Sequence, residues 1–516
     1  MTFLSVLREL RKTGVIMNSN LNRGAGILCH ISSLPGKYGI GTLGKEAYAF
    51  ADFLKKSNVK YWQILPLVQT GFGDSPYQSV CCNSGNPYFI DLEALKEEGL
   101  LDEEELSGCI MPEGNLDYTE LYKKRYTVLR LAYARFNIKD KDFVEFIDSG
   151  EFEDYAIFMS LKSRYDGTFD TFPDAFKYKE HLAVYEFRES VYKSEYCFWL
   201  FLQYVFKKQW KKLKNYVNSL GIKIIGDVPL YVAYDSSDVW GHPELFKLDE
   251  DLKPTKVAGV PPDYFSKTGQ LWGNPLYNWE AMAADGYTWW INRIRQASQL
   301  YDVIRIDHFR GLDRYYSIPA GAKTAETGEW QDGPGIKLFE SIRSALGDVS
   351  IIAEDLGLID SGVIKLRLKT GFPGMKILQF AFDGKQSNSY LPVNMEENSV
   401  AYTGTHDNNT MLGFLNEMDE LEFRTFKTRL RAALETEKVV YPFVSREEAV
   451  RAVCICAIAS PARLAIIPIQ DLLVLGAEAR MNTPSLAEGN WQFRLTTIPS
   501  RYSAAIMRKM VKQFKR

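Results

Sequence analysis

Three short strings in this chain hold side chains capable of acid–base or nucleophilic work: Arg305-Ile306-Asp307-His308, Ala353-Glu354-Asp355 and His406-Asp407. Each ends a short apolar run, Asp302–Ile306, Ser350–Ala353 and Val400–Thr405. An apolar run reads as a buried strand, and an acid at its carboxyl end reads as an acid leaving a core for a cleft. Two or three converging carboxylates are the equipment of glycosidic-bond chemistry: one protonates the leaving oxygen, another attacks or supports the sugar carbon. Asp227 ends Lys223-Ile224-Ile225-Gly226 and adds a fourth acid at a strand end.

The local sequence separates their tasks. Arg305 and Asp307 are two apart, so a strand puts both on one face, and a guanidinium beside a carboxylate favours the anion a nucleophile must be. Glu354 enters a pocket crowded with acids, which raises a carboxyl pKa and keeps a general acid protonated. Asp407 is placed to hold sugar hydroxyls as positive charge develops. Each has a structural alternative: an Arg–Asp pair serving packing, a helix cap at Glu354 or Asp355, a turn at Asp407-Asn408-Asn409. Asp355 is the more structural of its pair. Two of the five histidines, His308 and His406, adjoin these acids.

Strands must bring these acids together. Eight near-continuous apolar runs, the mark of parallel strands covered on both faces, are Gly26–Ile31, Tyr61–Leu67, Lys223–Pro229, Val303–Asp307, Ile351–Glu354, Lys376–Phe380, Ala401–Thr405 and Leu464–Pro468. Helix periodicity lies between them at Lys45–Lys56, Leu338–Leu346, Val363–Leu368, Leu421–Leu434 and Arg446–Ala459. Strand–helix alternation of this kind predicts an α/β fold, a (β/α)8 TIM barrel whose strand ends form the active face. Residues 68–222 and about 230–300 exceed one crossover and are expected to be large, mostly helical insertions walling that face. Residues 1–22 are expected to be an N-terminal extension, with Met17 an alternative start, and 23–516 the catalytic barrel.

The charge balance, 62 Lys and Arg against 65 Asp and Glu for a net −3, gives no basic field for nucleic acid or anionic membrane. No run approaches the ~20 apolar residues of a membrane span, and no secretory signal is evident. Seven cysteines at irregular spacing, without a CxxC, predict a reduced, cytoplasmic chain with no disulfide or zinc framework. No metal or other cofactor is expected.

Further strings accompany the acids: Gly24-Ala25-Gly26-Ile27, Ser32-Ser33-Leu34-Pro35, Gly73-Asp74-Ser75-Pro76-Tyr77-Gln78-Ser79, Gly85-Asn86-Pro87-Tyr88, Ala258-Gly259-Val260-Pro261-Pro262-Asp263-Tyr264-Phe265-Ser266, Gly269–Pro275 and Gly404-Thr405-His406-Asp407. Together, from about Arg23 to Arg494, they resemble glycoside hydrolase family 77, the amylomaltases or disproportionating 4-α-glucanotransferases. The resemblance implies a barrel without a separate C-terminal β-domain. It implies transfer of α-1,4-glucan segments from donor malto-oligosaccharides to the 4-hydroxyl of another glucan or of glucose, with retention. Asp307 would be nucleophile, Glu354 general acid/base and Asp407 transition-state stabiliser. Arg305, His406 and Asp227 would contact these acids and the donor sugar, and Tyr77, Trp272 and Asn274 would line sugar subsites. Tyr264 and Phe265 would sit on a lid over the acceptor side, with Phe380 opposite.

Three other readings of the acids stay open: an α-amylase-like hydrolase with water as acceptor, a Mg²⁺-dependent barrel enzyme using Asp227, Asp307 and Glu354, and an inactive glucan-binding module. No strand-end lysine base accompanies the second, and the intact acids argue against the third.

Overall fold

The computed structural model describes residues 21–71, 73–262, 266–484, 486 and 488–516. Tyr264 and Phe265, and residues 1–20 of the expected extension, lie outside the described residues. Eight parallel strands form the centre: β1 (Gly24–Leu28), β2 (Tyr61–Gln63), β3 (Lys223–Val228), β4 (Val303–Ile306), β5 (Ile351–Ala353), β6 (Gly374–Ile377), β7 (Ser399–Tyr402) and β8 (Leu464–Pro468). Their ladder runs β6-β7-β8-β1-β2-β3-β4-β5. The sheet curls so that β5 meets β6, where the Ala353 N–H donates to the Pro373 carbonyl at 3.0 Å. The Asp355 carboxylate reinforces this seam, accepting the Met375 N–H at 2.7 Å and lying 3.0 Å from Arg367. The result is the expected (β/α)8 barrel.

All eight expected strands are present, most of them ending one or more residues before the predicted carboxyl end. The apolar run at β2 continues past Gln63, but Pro66 has no N–H to donate to a ladder. At β6 the strand starts earlier and Leu378–Phe380 leaves it as a turn of 3-10 helix, swinging Phe380 out to 37% exposure. Asp307, Glu354 and Asp407 thus stand just past their strands, whereas Asp227 and Arg305 remain within theirs.

Helices Lys45–Lys56 and Arg446–Ala459 have the predicted bounds, and Ile336–Leu346, Ser361–Thr370 and Glu420–Thr436 extend the predicted ones. The first insertion is helical, as expected, and leads into the long helix Lys193–Ser219. Thirteen residues of the second form helix Thr288–Leu300. The second insertion also carries something the sequence did not announce. Strands Lys256–Val260 and Gln270–Pro275 form a hairpin that continues into Arg314–Pro319 and Glu329–Asp332, from the connection after β4. This side sheet is antiparallel, in the order Gln270–Pro275, Lys256–Val260, Arg314–Pro319, Glu329–Asp332. Gly259 is required at its centre, since a Cβ there would lie 2.2 Å from the Gln270 carbonyl oxygen. The last helix, Arg501–Gln513, packs on Lys45–Lys56.

Candidate active site

Parallel register sets the first contact. Asp227 on β3 pairs with Arg305 on β4, so the two side chains share one level of the barrel. Arg305 Nη1 lies 2.6 Å from Asp227 Oδ2, and Nη2 reaches Asp307 Oδ1 at 2.9 Å. The guanidinium is thus a bridge between two carboxylates, 5% exposed, with Asp227 at 1% and Asp307 at 28%. Burial opposes its charge, but Asp227 and Asp307 hold the Arg305 pKa well above the usual range. Asp227 itself is pushed up by burial, against the pull of Arg305. Its Oδ2 also accepts from the Tyr77 hydroxyl at 2.8 Å, and its Oδ1 has no partner among the described residues.

Glu354 stands just past β5. Its Oε2 accepts the His308 N–H at 2.7 Å and Oε1 the Leu356 N–H at 2.9 Å, so the carboxyl is aimed by backbone on both sides. His308 adopts a left-handed conformation, φ 47°, immediately after Asp307. That strained geometry is uncommon for a residue with a Cβ and marks a backbone held by its surroundings. Burial, then the charge of Asp307, raises the Glu354 pKa to about 8, while Arg305 and the two N–H groups pull the other way. Near neutral pH Glu354 is therefore mostly protonated, as a proton donor must be.

Asp407 follows β7 and projects into the cleft at 45% exposure. The turn function foreseen for this string belongs to Asn408, whose Oδ1 accepts from Thr405 N and Oγ1, both at 2.9 Å. Asp407 Oδ1 is instead held by Asn482 Nδ2 at 2.6 Å, with His406 Nε2 at 3.3 Å. Tyr77 lies flat on His406, ring centres 5.1 Å apart at 11°, with Trp491 tilted against both. Burial pushes the Tyr77 phenol well up, followed by the charge of Asp227, with Arg305 opposing and Asp307 and Asp407 adding. Bonded to Asp227, which Arg305 joins to Asp307, and stacked on His406 beside Asp407, Tyr77 links the acids that follow or end strands β3, β4 and β7.

Trp272 stands edge-on to His308, the neighbour of Asp307, ring centres 4.8 Å apart at 84°. The buried His308 imidazole is held down to about 4, so this wall is neutral at working pH. Asn274, expected to line a sugar subsite, is also bonded within the protein. It is 5% exposed and its amide is engaged by Val232 O at 2.8 Å and by Gln78 at 3.1 and 3.3 Å. It braces the hairpin against the barrel. Phe380 lies edge-on to Tyr390, on the β6 side.

Asn482, Arg480 and Trp491 were not foreseen. Arg480 Nη2 donates to the Asp407 carbonyl at 2.8 Å, and Asn482 N to the His406 carbonyl at 3.0 Å. All three follow β8, and polar and aromatic residues in the eighth loop of a barrel were the available signal.

A barrel with an arginine-paired aspartate, a raised glutamic acid and a third aspartate at the ends of its strands carries the groups that glycosidic-bond chemistry uses. The family model described as 4-alpha-glucanotransferase, glycoside hydrolase family 77, matches residues 29–499. The chain is 46% identical over 478 residues to a 4-alpha-glucanotransferase of Clostridium butyricum, covering 90% of this chain and 95% of that one. It is 45% identical over 485 residues to that of Thermus thermophilus, covering 92% and 95%. An amylomaltase from Streptococcus agalactiae in complex with acarbose superposes with a TM-score of 0.90 at 38% identity, over 96% of this chain and 99% of that one. The chain belongs to glycoside hydrolase family 77, the 4-alpha-glucanotransferases.

Proposed function

We propose that Asp307 is the nucleophile, Glu354 the general acid/base and Asp407 the stabiliser in transfer of α-1,4-glucan segments between malto-oligosaccharides. The observation that carries this is the Arg305 bridge next to Glu354: one carboxylate is paired to a buried guanidinium while its neighbour is raised to about 8. Glu354 gives its proton to the leaving glycosidic oxygen as that C–O bond breaks, and Asp307 bonds to the anomeric carbon. The glucosyl–enzyme no longer carries the Asp307 charge, so the electrostatic part of the Glu354 shift disappears and Glu354 becomes a base. It then takes the proton of an incoming 4-hydroxyl, from a glucan or from glucose, whose oxygen displaces Asp307. Two inversions retain the α configuration. Asp407, held by Asn482, meets donor hydroxyls whose hydrogen bonds tighten as the oxocarbenium develops.

The guanidinium also sits where a divalent ion between Asp227 and Asp307 would have to sit, which speaks against the magnesium reading. Transfer over hydrolysis needs an acceptor site that keeps water out, and Trp272, edge-on to His308, supports that reading. The catalytic unit is read as residues 23–516 acting in the cytoplasm without a cofactor. No described helix is long and apolar enough to cross a membrane.

Incubation with maltotriose tests the reading. Transfer yields glucose and longer oligomers at constant total reducing ends, whereas rising reducing ends would establish a hydrolase instead.

A further inference from the structure

Arg310 lies in the turn Phe309–Leu312 that follows the nucleophile, and none of the steps above uses it. Its side chain is 7% exposed. The guanidinium lies over the Trp330 ring, Cζ 3.9 Å from the ring centre. Nη1 donates to the Leu358 carbonyl, and Nη2 to Asp360 Oδ2 at 3.1 Å. Leu358 and Asp360 belong to the loop that begins at Glu354, and Asp360 caps helix Ser361–Thr370.

Trp330 starts a row across the side sheet. The register pairs Trp330 with Tyr316, Tyr316 with Gly259, and Gly259 with Leu271, the neighbour of Trp272. Tyr316 and Trp330 also meet edge to face at 5.1 Å. A second tie reaches the far side of the hairpin, where Ala325 N donates to the Thr268 carbonyl at 3.0 Å. The acceptor wall and the acid/base loop come from different strands of the barrel and share no ladder. Arg310 joins them, using a buried cation–π contact on one side and charge-assisted hydrogen bonds on the other.

We propose that Arg310 is a positioning residue that locks the hairpin-bearing sheet to the acid/base loop and so sets how the glucosyl–enzyme partitions between sugar and water. The proposal rests on the transferase reading with Asp307 as nucleophile. In both branches the ester to Asp307 breaks, the anomeric carbon bonds to an incoming oxygen, and that oxygen's proton passes to Glu354. The branches differ in which O–H arrives. A hairpin free to drift loosens the acceptor subsite without touching the acids, so water gains at the second step while the first is spared.

The test uses the full chain, with Trp330→Ala to remove the stacking face and Asp360→Asn to cut the ion pair while keeping a residue that caps helices well. Maltotriose products are separated to count transfer, and new reducing ends count hydrolysis. The hydrolytic share should rise about tenfold in Trp330→Ala, with donor consumption within about threefold of wild type. It should move the same way in Asp360→Asn and return in Trp330→Phe. If Trp330→Ala does not fold, Trp330→Leu and Asp360→Asn carry the measurement. An unchanged share in the folded variants overturns the lock while leaving the transferase reading intact. A wild type that produces new reducing ends without longer oligomers overturns that reading, and the lock with it.

Discussion

Replacing Glu354 with glutamine tests whether one carboxyl limits both turnover and stability. Burial first, and the Asp307 charge second, raise its pKa from 4.5 to about 8. The folded protein thus holds this proton more tightly than the unfolded chain does. The stabilisation is fully present below 4.5 and is lost as the pH rises toward about 8. At about 1.36 kcal/mol per tenfold in proton concentration, the span comes to about 5 kcal/mol. Relaxation and water entry around the ionised group bring the working figure nearer 3 kcal/mol. Glutamine does not titrate, so Glu354→Gln is free of this loss. It has its own penalty, since its amide –NH2 faces one of the two backbone N–H groups of His308 and Leu356, but that penalty is independent of pH. The difference in melting temperature, variant minus wild type, should therefore climb between pH 5 and pH 9. With an unfolding entropy of about 2.1 cal/mol/K per residue, 3 kcal/mol corresponds to about 3 °C for a chain of this size. Scanning calorimetry of both proteins at one scan rate, in buffers of equal ionic strength, reads it directly. A flat difference across that range would refute the raised acid, whatever the variant's activity.

The same proton governs rate: wild-type transfer should fall about tenfold per pH unit above about 8, and a profile level to pH 10 would contradict Glu354 as the acid. Asp307→Asn should lower turnover by at least about a thousandfold while calorimetric binding of maltoheptaose stays within about tenfold; near-normal turnover would remove the assigned role. Arg305→Met leaves Asp227 buried without its cation and should destabilise the fold by about 3–5 kcal/mol in urea titrations; a loss below about 1 kcal/mol would mean that the bridge is electrostatically idle. Asn482→Ala frees Asp407 and should reduce kcat about tenfold or more with little change in melting temperature, and equal kcat would show that Asp407 orients itself.

The barrel and its acids were readable because both depend on short-range signals. Ile351–Ala353 is apolar throughout and Val303–Ile306 is apolar except for Arg305, and the acids follow directly. The Arg305–Asp307 contact was also visible, since two residues of spacing on a strand fix a shared face. The brackets around the acids were hidden because they join distant segments: Asn482 to Asp407, Gln78 to Asn274, Arg310 to Trp330. The side sheet escaped notice for a related reason. Its strands are short, two come from before β4 and two from after it, and Glu329–Asp332 carries one large apolar residue, Trp330. The resemblance implied a sugar contact for Asn274, and its bonds to Val232 and Gln78 are a further role that the local string did not carry.

The joint between β5 and β6 has a kinetic meaning. Seven of the barrel's neighbouring strand pairs share ladders, whereas this one is held by the Ala353–Pro373 bond and the Asp355 carboxylate. Such a joint separates at a lower free energy than a laddered core. The amides of Ala353 and Met375 should then exchange with solvent ahead of those in β1 and β8. Glu354 stands one residue beyond that joint. Glu354 is thus mounted beside a joint that opens more readily than the laddered pairs, and its alignment depends on how tightly Arg367 and Asp355 keep the joint shut.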